Sequence, residues 1–283
     1  MPPAEQGYVE RLPVPALADV VSTVWVQRVA PDAAAYRQRN LPHGGTEIVC
    51  TVGGPPRVLG PLTGAHLEVL VPGSTVVGMR LRPGAARALL GVPASELTDL
   101  SVPVDALWGR AAAALGDRVG DAGSPERALA TFQHGVLARR AAEDDPDPLV
   151  TAAVRLLMPG GPGVAALPRL LGASERTLRR RCLAAVGLGP KALHRVLRFQ
   201  GFLARAQQAM AAGRSPGALA DLAVDAGYAD QAHLTRECVR LTGATPRSFL
   251  AEAADTCACG HDHAASYGPL LAGTFNNAAA DAS

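Results

Sequence analysis

Two groups of side chains in the sequence have the types and spacing to do chemistry. The first is Arg176, Thr177, Arg179 and Arg180, followed by Gln231, His233, Thr235 and Arg236. Arginine donates two bonds to guanine O6 and N7, glutamine pairs with adenine, and threonine meets the thymine methyl. The second is Cys257, Cys259, His261 and His263, which alternate along CACGHDH. All four are good ligand types for Zn²⁺ or a similar soft ion, at a spacing unlike the usual C-x2–4-C of zinc fingers. They are either a metal clasp or sensor, or part of a plain tail.

The first group lies inside a repeat. SERTLRRRCLAAVGLGP (174–190) aligns with DQAHLTRECVRLTGATP (230–246), each residue pair 56 positions apart. Leu178 matches Leu234, Arg180 matches Arg236, Cys182 matches Cys238, Gly187 matches Gly243 and Pro190 matches Pro246. Upstream, Leu167…Gly172 resembles Leu222…Gly227. Each unit reads as helix, glycine-containing turn, helix. At about 100° per residue, Leu178, Cys182 and Ala185 form a buried stripe, and Arg176, Arg179 and Arg180 fall opposite it. Leu234, Cys238 and Leu241 form the second stripe, with Thr235 and Arg236 facing away and His233 at its side. Ser174 and Asp230 stand where N-caps belong. Pro168 is tolerated only if its helix starts near Leu167, which makes that helix short.

Residues 190–212 read as one helix joining the units, about 33 Å long at roughly 1.5 Å per residue. Recognition helices about 34 Å apart enter successive major grooves on one side of a duplex. Lys191, Arg195 and Arg198 continue the basic face and suit phosphate contacts. The charge distribution agrees. Residues 1–146 carry net −2, residues 147–252 net +7 and residues 253–283 net −3. One segment alone is matched to a polyanion such as double-stranded DNA.

The remaining sequence predicts an α+β fold. Runs at 19–29, 46–52, 57–60, 66–71 and 75–82 read as strands of a small antiparallel sheet, separated by Gly-Pro punctuation. Residues 84–91, 104–115 and 124–142 read as helices. Leu129, Phe132 and Val136 make a stripe that either forms a homodimer contact or packs on its own domain. EDDPDP (143–148) reads as a linker. The predicted organisation is a sensor and dimerisation domain (1–120), a helical linker (121–146), a tandem helix-turn-helix domain (147–252) and the Cys/His-bearing tail (253–283).

Sheets of this kind form ligand pockets, and His43, Glu47, Cys50, His66 and Glu68 lie on or near strands. Arg80 and Arg82 are placed on one strand face, as surface charges or as partners of an anionic effector. Trp25 and Trp108 are expected in the core. An apolar content of 48% with 18% charged residues excludes a wholly disordered chain. No run of about 18 apolar residues predicts a membrane span, and MPPAEQGYVERLPVP is not expected to be a secretory leader. Five cysteines, an odd and sparse set, point to a reducing, cytoplasmic setting. G-x-S-x-G, Walker, G-x-G-x-x-G and H-E-x-x-H motifs are all missing, so no enzyme is predicted.

The C-terminal half resembles the AraC/XylS family of bacterial transcription regulators. The residues are Gly172-x-Ser174-x-x-x-Leu178 and Gly187-x-x-Pro190, Gly227-Tyr228-x-Asp230-x-x-x-Leu234-x-Arg236, Gly243-x-Thr245-Pro246-x-x-Phe249, and the connector Arg195-x-x-Arg198-Phe199-Gln200. Cys182 and Cys238 depart from the family's bulky Phe. Leu41-Pro42-His43-Gly44-Gly45, Arg80-Leu81-Arg82-Pro83-Gly84-Ala85, Leu90-Gly91-Val92-Pro93 and Trp108-Gly109 resemble the sensor half of actinobacterial members. The resemblance implies sequence-specific transcription control with RNA polymerase as a partner, a small-molecule or metal effector, and dimerisation. The alternative is a metal- or ligand-binding sensor whose DNA binding is degenerate.

Overall fold

The computed structural model describes residues 7–140, 145–212, 219–256 and 264–271. Eight strands and twelve helices follow one another in it. Strands β1 (Gly7–Arg11), β2 (Val21–Arg28), β4 (Glu47–Thr51), β5 (Pro56–Leu59), β7 (Thr75–Leu81) and β8 (Ser101–Pro103) form an antiparallel sheet in the order β1-β2-β7-β4-β5-β8. Strands β3 (Tyr36–Asn40) and β6 (His66–Leu70) pair as a separate ribbon.

Side chains alternate across a strand, so each central strand feeds two faces. Val24, Ile48, Cys50, Val77 and Met79 point into one core with Trp108, Leu115 and Phe132. Tyr8, Trp25, Val49 and Val76 form a second, smaller cluster. Trp25 stands opposite Gly78 in the register, and a Cβ on Gly78 would lie 2.2 Å from the indole. The missing side chain on β7 is what lets the ring lie across that strand.

Helices α1 (Ala86–Leu90), α2 (Asp105–Trp108), α3 (Arg110–Gly120) and α4 (Pro125–Leu137) belong to the same half. The single helix expected over 104–115 is broken at Gly109, whose φ of 57° and ψ of −139° no helix accommodates. Ser124 caps α4 by accepting from the Arg127 N–H, and Pro125 follows at the first helical position. Leu129, Phe132 and Val136 are buried in the sheet's own core. That stripe packs internally and is not available as a dimer contact.

Helices α5 (Pro148–Leu156), α6 (Leu167–Leu171), α7 (Glu175–Val186), α8 (Pro190–Ala211), α9 (Leu219–Asp225), α10 (Gln231–Thr242) and α11 (Pro246–Thr256) surround a core of Leu157, Leu178, Leu193, Phe199, Phe202 and Leu234. Pro168 sits in the first turn of a five-residue α6, as its sequence requires. Asp147, read as linker, instead caps α5 through the Leu149 and Val150 amides. Helix α12 (Ala264–Leu271), not foreseen in the sequence, returns to pack on α8, β1 and β2. Among the described residues no helix is long and apolar enough to cross a membrane.

Candidate nucleic-acid interface and sensor cavity

Helices α7 and α10 are built alike. The Ser174 hydroxyl accepts from the Thr177 N–H at 3.2 Å, and the Asp230 carboxylate accepts from the His233 N–H at 2.6 Å. Gly187 and Gly243 close the helices in the left-handed region, at φ of 76° and 78°. Leu178 and Cys182, and Leu234, Cys238 and Leu241, are buried at equivalent places. The opposite faces carry Arg176, Arg179 and Arg180, and Gln231 and Arg236, all exposed. Lys191, at the start of α8, is exposed as well.

Five other expected contact residues are already engaged. Thr177 is half-buried and its hydroxyl takes a 3.0 Å bond from Ser174. The Thr235 hydroxyl donates to the Gln231 carbonyl, and His233 meets the Tyr228 ring edge-on at 5.2 Å. Arg195 lies 2.8 Å from Glu237 of α10, and Arg198 stacks over Tyr228 at 4.5 Å. These two arginines join α8 to the second unit. Arg181, also unforeseen, donates twice to Asp147 at 2.6 Å and ties α7 to the entry of α5.

Burial pushes the Cys182 thiol up to about 11 and raises Cys238 as well. Both are packing residues with inert, protonated sulfurs. Cys257, Cys259, His261 and His263 lie outside the described residues. Among the described residues no three metal-ligating side chains gather closely enough to hold an ion.

The second face of the sheet opens on a cavity of about 630 Å³. It lies between the sheet, the β3–β6 ribbon, α8 and α11, with Trp25, Leu203 and Phe249 among its walls. Its floor follows from strand alternation: Tyr8 and Glu10 share a face of β1, Trp25 and Gln27 of β2, and Gly78 and Arg80 of β7. Arg80 donates to Glu47 at 2.8 Å, approaches Glu10 at 3.4 Å and donates to the Ser266 hydroxyl of α12 at 2.6 Å. The Ser266 N–H donates to Glu10, and Tyr8 donates to Glu10 at 2.7 Å. His43 stands 3.4 Å from Glu47; burial first, then Arg80, holds its imidazole well below the usual histidine range. Gln200 of α8 donates to the Pro42 carbonyl at 2.6 Å, and a Cβ on Gly44, at φ +84°, would lie 2.8 Å from Leu193 of α8. The 41–45 turn is thereby seated on α8.

Sequence reasoning placed His43, Glu47 and Arg80 near a ligand pocket, and the structure brings them together. Arg82 is elsewhere: it is exposed and donates to the Ala18 carbonyl. His66 is exposed, Cys50 is buried in the opposite core, and Glu68 accepts from Asn40 of the ribbon. Tyr8, Gln27 and the α8 residues of the cavity went unseen, as did Glu10, which meets Arg80 from below the cavity surface. The signal for β1 was present in Tyr8-x-Glu10, a two-residue period hidden by the rarity of a buried glutamate.

A family model described as a helix-turn-helix domain matches residues 167–252, the span that holds both capped units. Residues 167–252 are an AraC-type helix-turn-helix domain. This module is DNA-binding and belongs to transcription regulators. Residues 9–103, ahead of it, match a model described as a domain of unknown function, DUF6597. Solved structures of ToxT from Vibrio cholerae are distantly similar. An apo form from strain SCE256 is 12% identical, with 80% of this chain and 96% of that chain covered at a TM-score of 0.44. ToxT bound to (E)-4-(8-methylnaphthalen-1-yl)but-3-enoic acid is 13% identical, covering 87% and 98% at 0.40. The unsaturated fatty acid-bound form is 12% identical, covering 82% and 94% at 0.40. Likeness at this level transfers no ligand to the chain ahead of the AraC-type domain. No curated protein matches.

Proposed function

We propose that the chain is a sequence-specific transcription regulator that reads two successive major grooves with α7 and α10 and is controlled by a small molecule in the sheet cavity. The observation that supports this reading is the pair of capped helices with exposed polar faces, α7 leading into the 22-residue α8 and α10 tied to the first half of α8 through Arg195–Glu237. The reading requires the faces of α7 and α10 to stand about one duplex turn apart, about 34 Å, on one side of the DNA.

Arg176, Arg179 and Arg180 serve one half-site and Gln231 and Arg236 the other. Lys191 holds a phosphate; Thr177, His233 and Thr235 contribute apolar or water-bridged contacts from their half-buried positions. Arg195 acts as a strut to Glu237 rather than as a phosphate contact. Residues 1–120 form the sensor, α4 completes its core, and 147–252 form the reader, acting on RNA polymerase at a promoter. The cavity borders both α8 and α11, so filling it reaches the second unit directly.

Selection of binding sites from genomic fragments with the full chain tests the reading. One bipartite motif should emerge, with affinity falling steeply as salt rises. Arg236→Ala should lose about 1–3 kcal/mol and relax preference at one base position. Enrichment of no motif, or an Arg236→Ala protein with unchanged affinity and preference, overturns it.

A further inference from the structure

Three arginines and two glutamates line the cavity, but its floor around Arg80 is short of free positive charge. Arg80, its most deeply placed cation, is already bracketed by Glu47 at 2.8 Å and Glu10 at 3.4 Å. His43 is held neutral by its burial. Two carboxylates therefore share one guanidinium, and the floor offers a further anion no unmatched positive charge. Glu47 lines the cavity, and only its Oε1 is engaged among the described residues. Gln27 is 5% exposed, lines the cavity, and its Oε1 has no partner. A buried acceptor without a donor is costly, so such a group implies a ligand that supplies one.

The wall beside this floor is aromatic. Trp25 is 4% exposed and lies over Gly78, two residues from Arg80 on the same strand face, so its indole adjoins the charged floor. Its Nε1–H also has no partner. An aromatic face next to a carboxylate is the arrangement that holds organic cations. A carboxylate ligand would instead bring a third negative charge to an arginine that has two. At the rim, on β3 and so off the sheet that carries Glu47, Arg39 pairs with Glu252 at 3.1 Å through Nη2 while its buried Nη1 has no partner among the described residues, and Arg37 is exposed to solvent.

We propose that this cavity binds an organic cation, an amine with an apolar body, with Glu47 as counter-ion and the Trp25 indole as its aromatic face. The proposal rests on reading the cavity as the effector site. A volume near 630 Å³ suits a small molecule. The apolar body lies against Leu203 and Phe249, and thus against the helices that carry the second unit.

Three probes with one body and different heads decide it: 4-phenylbutylamine, 4-phenylbutanol and 4-phenylbutanoate, titrated into the full chain by calorimetry and thermal shift. The amine should bind at least about tenfold more tightly than the butanoate, with the alcohol between. Glu47→Gln, which keeps an oxygen for Arg80, should lower the amine to the level of the alcohol and leave the alcohol unchanged. Equal or tighter binding of the butanoate, or no amine binding at millimolar concentration, overturns the proposal. If the variant fails to fold, the order of the three probes on the wild-type chain decides alone. DNA selection on the same preparation separates the two readings. Amine preference without a DNA motif leaves this inference standing and removes the regulator; a DNA motif with butanoate preference does the reverse.

Discussion

The two helix-turn-helix units share a sequence pattern and differ in what holds them. The first is clamped to fixed parts of the molecule. Asp147 grips Arg181 of α7, and the Thr98 hydroxyl donates to the Gly187 carbonyl at its end. A Cβ on Gly187 would strike Thr98, Pro61 and the Ala94 carbonyl within 2.9 Å. The second unit is held to α8 by Arg195–Glu237 and Arg198–Tyr228 and borders the cavity through Phe249, Leu250 and Glu252 of α11. One repeat is thus held in two ways: one unit clamped to the rest of the molecule, and one whose support includes a ligand-sized space.

The largest effect should come from what the units share. Phe199 is fully buried on α8 between them. Phe199→Ala should cost about 3–5 kcal/mol and lower both units together. Hydrogen exchange resolves this: loss of protection in α7 alone or α10 alone would mean that the units are independent. Next is the clamp. Asp147→Ala removes the cap of α5 and both bonds to Arg181, a loss of about 1–3 kcal/mol. Footprinting should show weakened contact at the first half-site with the second unaltered. Equal weakening of both would erase the distinction. Ser174→Ala and Asp230→Ala should each cost about 1 kcal/mol by urea denaturation. Each should raise exchange only in its own recognition helix.

The parts legible in the sequence are those fixed by local chemistry. Ser174, Asp230, Gly187 and Gly243 bound their helices whatever surrounds them, and the connector is one unbroken periodic run. The parts that were hidden depend on distant partners. Glu10 has no exposed side-chain surface, which makes sense only once Arg80, 70 positions away, is known to face it. Asp147 looks like a linker residue until α5 and α7 converge on it. The break at Gly109 and the return of α12 onto the sheet are set by packing, which overrides local preference. The candidate reading faces were therefore visible early, whereas the cavity was glimpsed through three of its residues.

The smallest expected effect compares the two regions through their histidines. His43 stands in the cavity; His194 lies on α8, 3.5 Å from where a Cβ on Gly163 of the first unit would be. Both are pushed below the ordinary histidine range, His43 by burial then Arg80, and His194 by burial then Arg198. In the unfolded chain each takes a proton near pH 6.5. The folded chain resists that proton, so acid favours unfolding. The stability each neutral ring contributes is complete above about pH 6.5 and falls away as the pH drops toward its native value. The slope for one such group is at most about 1.4 kcal/mol per pH unit. Urea midpoints at pH 7.5 and 5.5 measure it. His43→Gln should flatten the acid loss more than His194→Gln, because His43 is the more deeply buried and the more strongly shifted. Exchange at pH 5.5 should open the cavity strands first in the wild-type chain. If His194→Gln gives the greater flattening, the first unit is the pH-sensitive one, and the division between a clamped unit and a cavity-supported unit fails at its softest point.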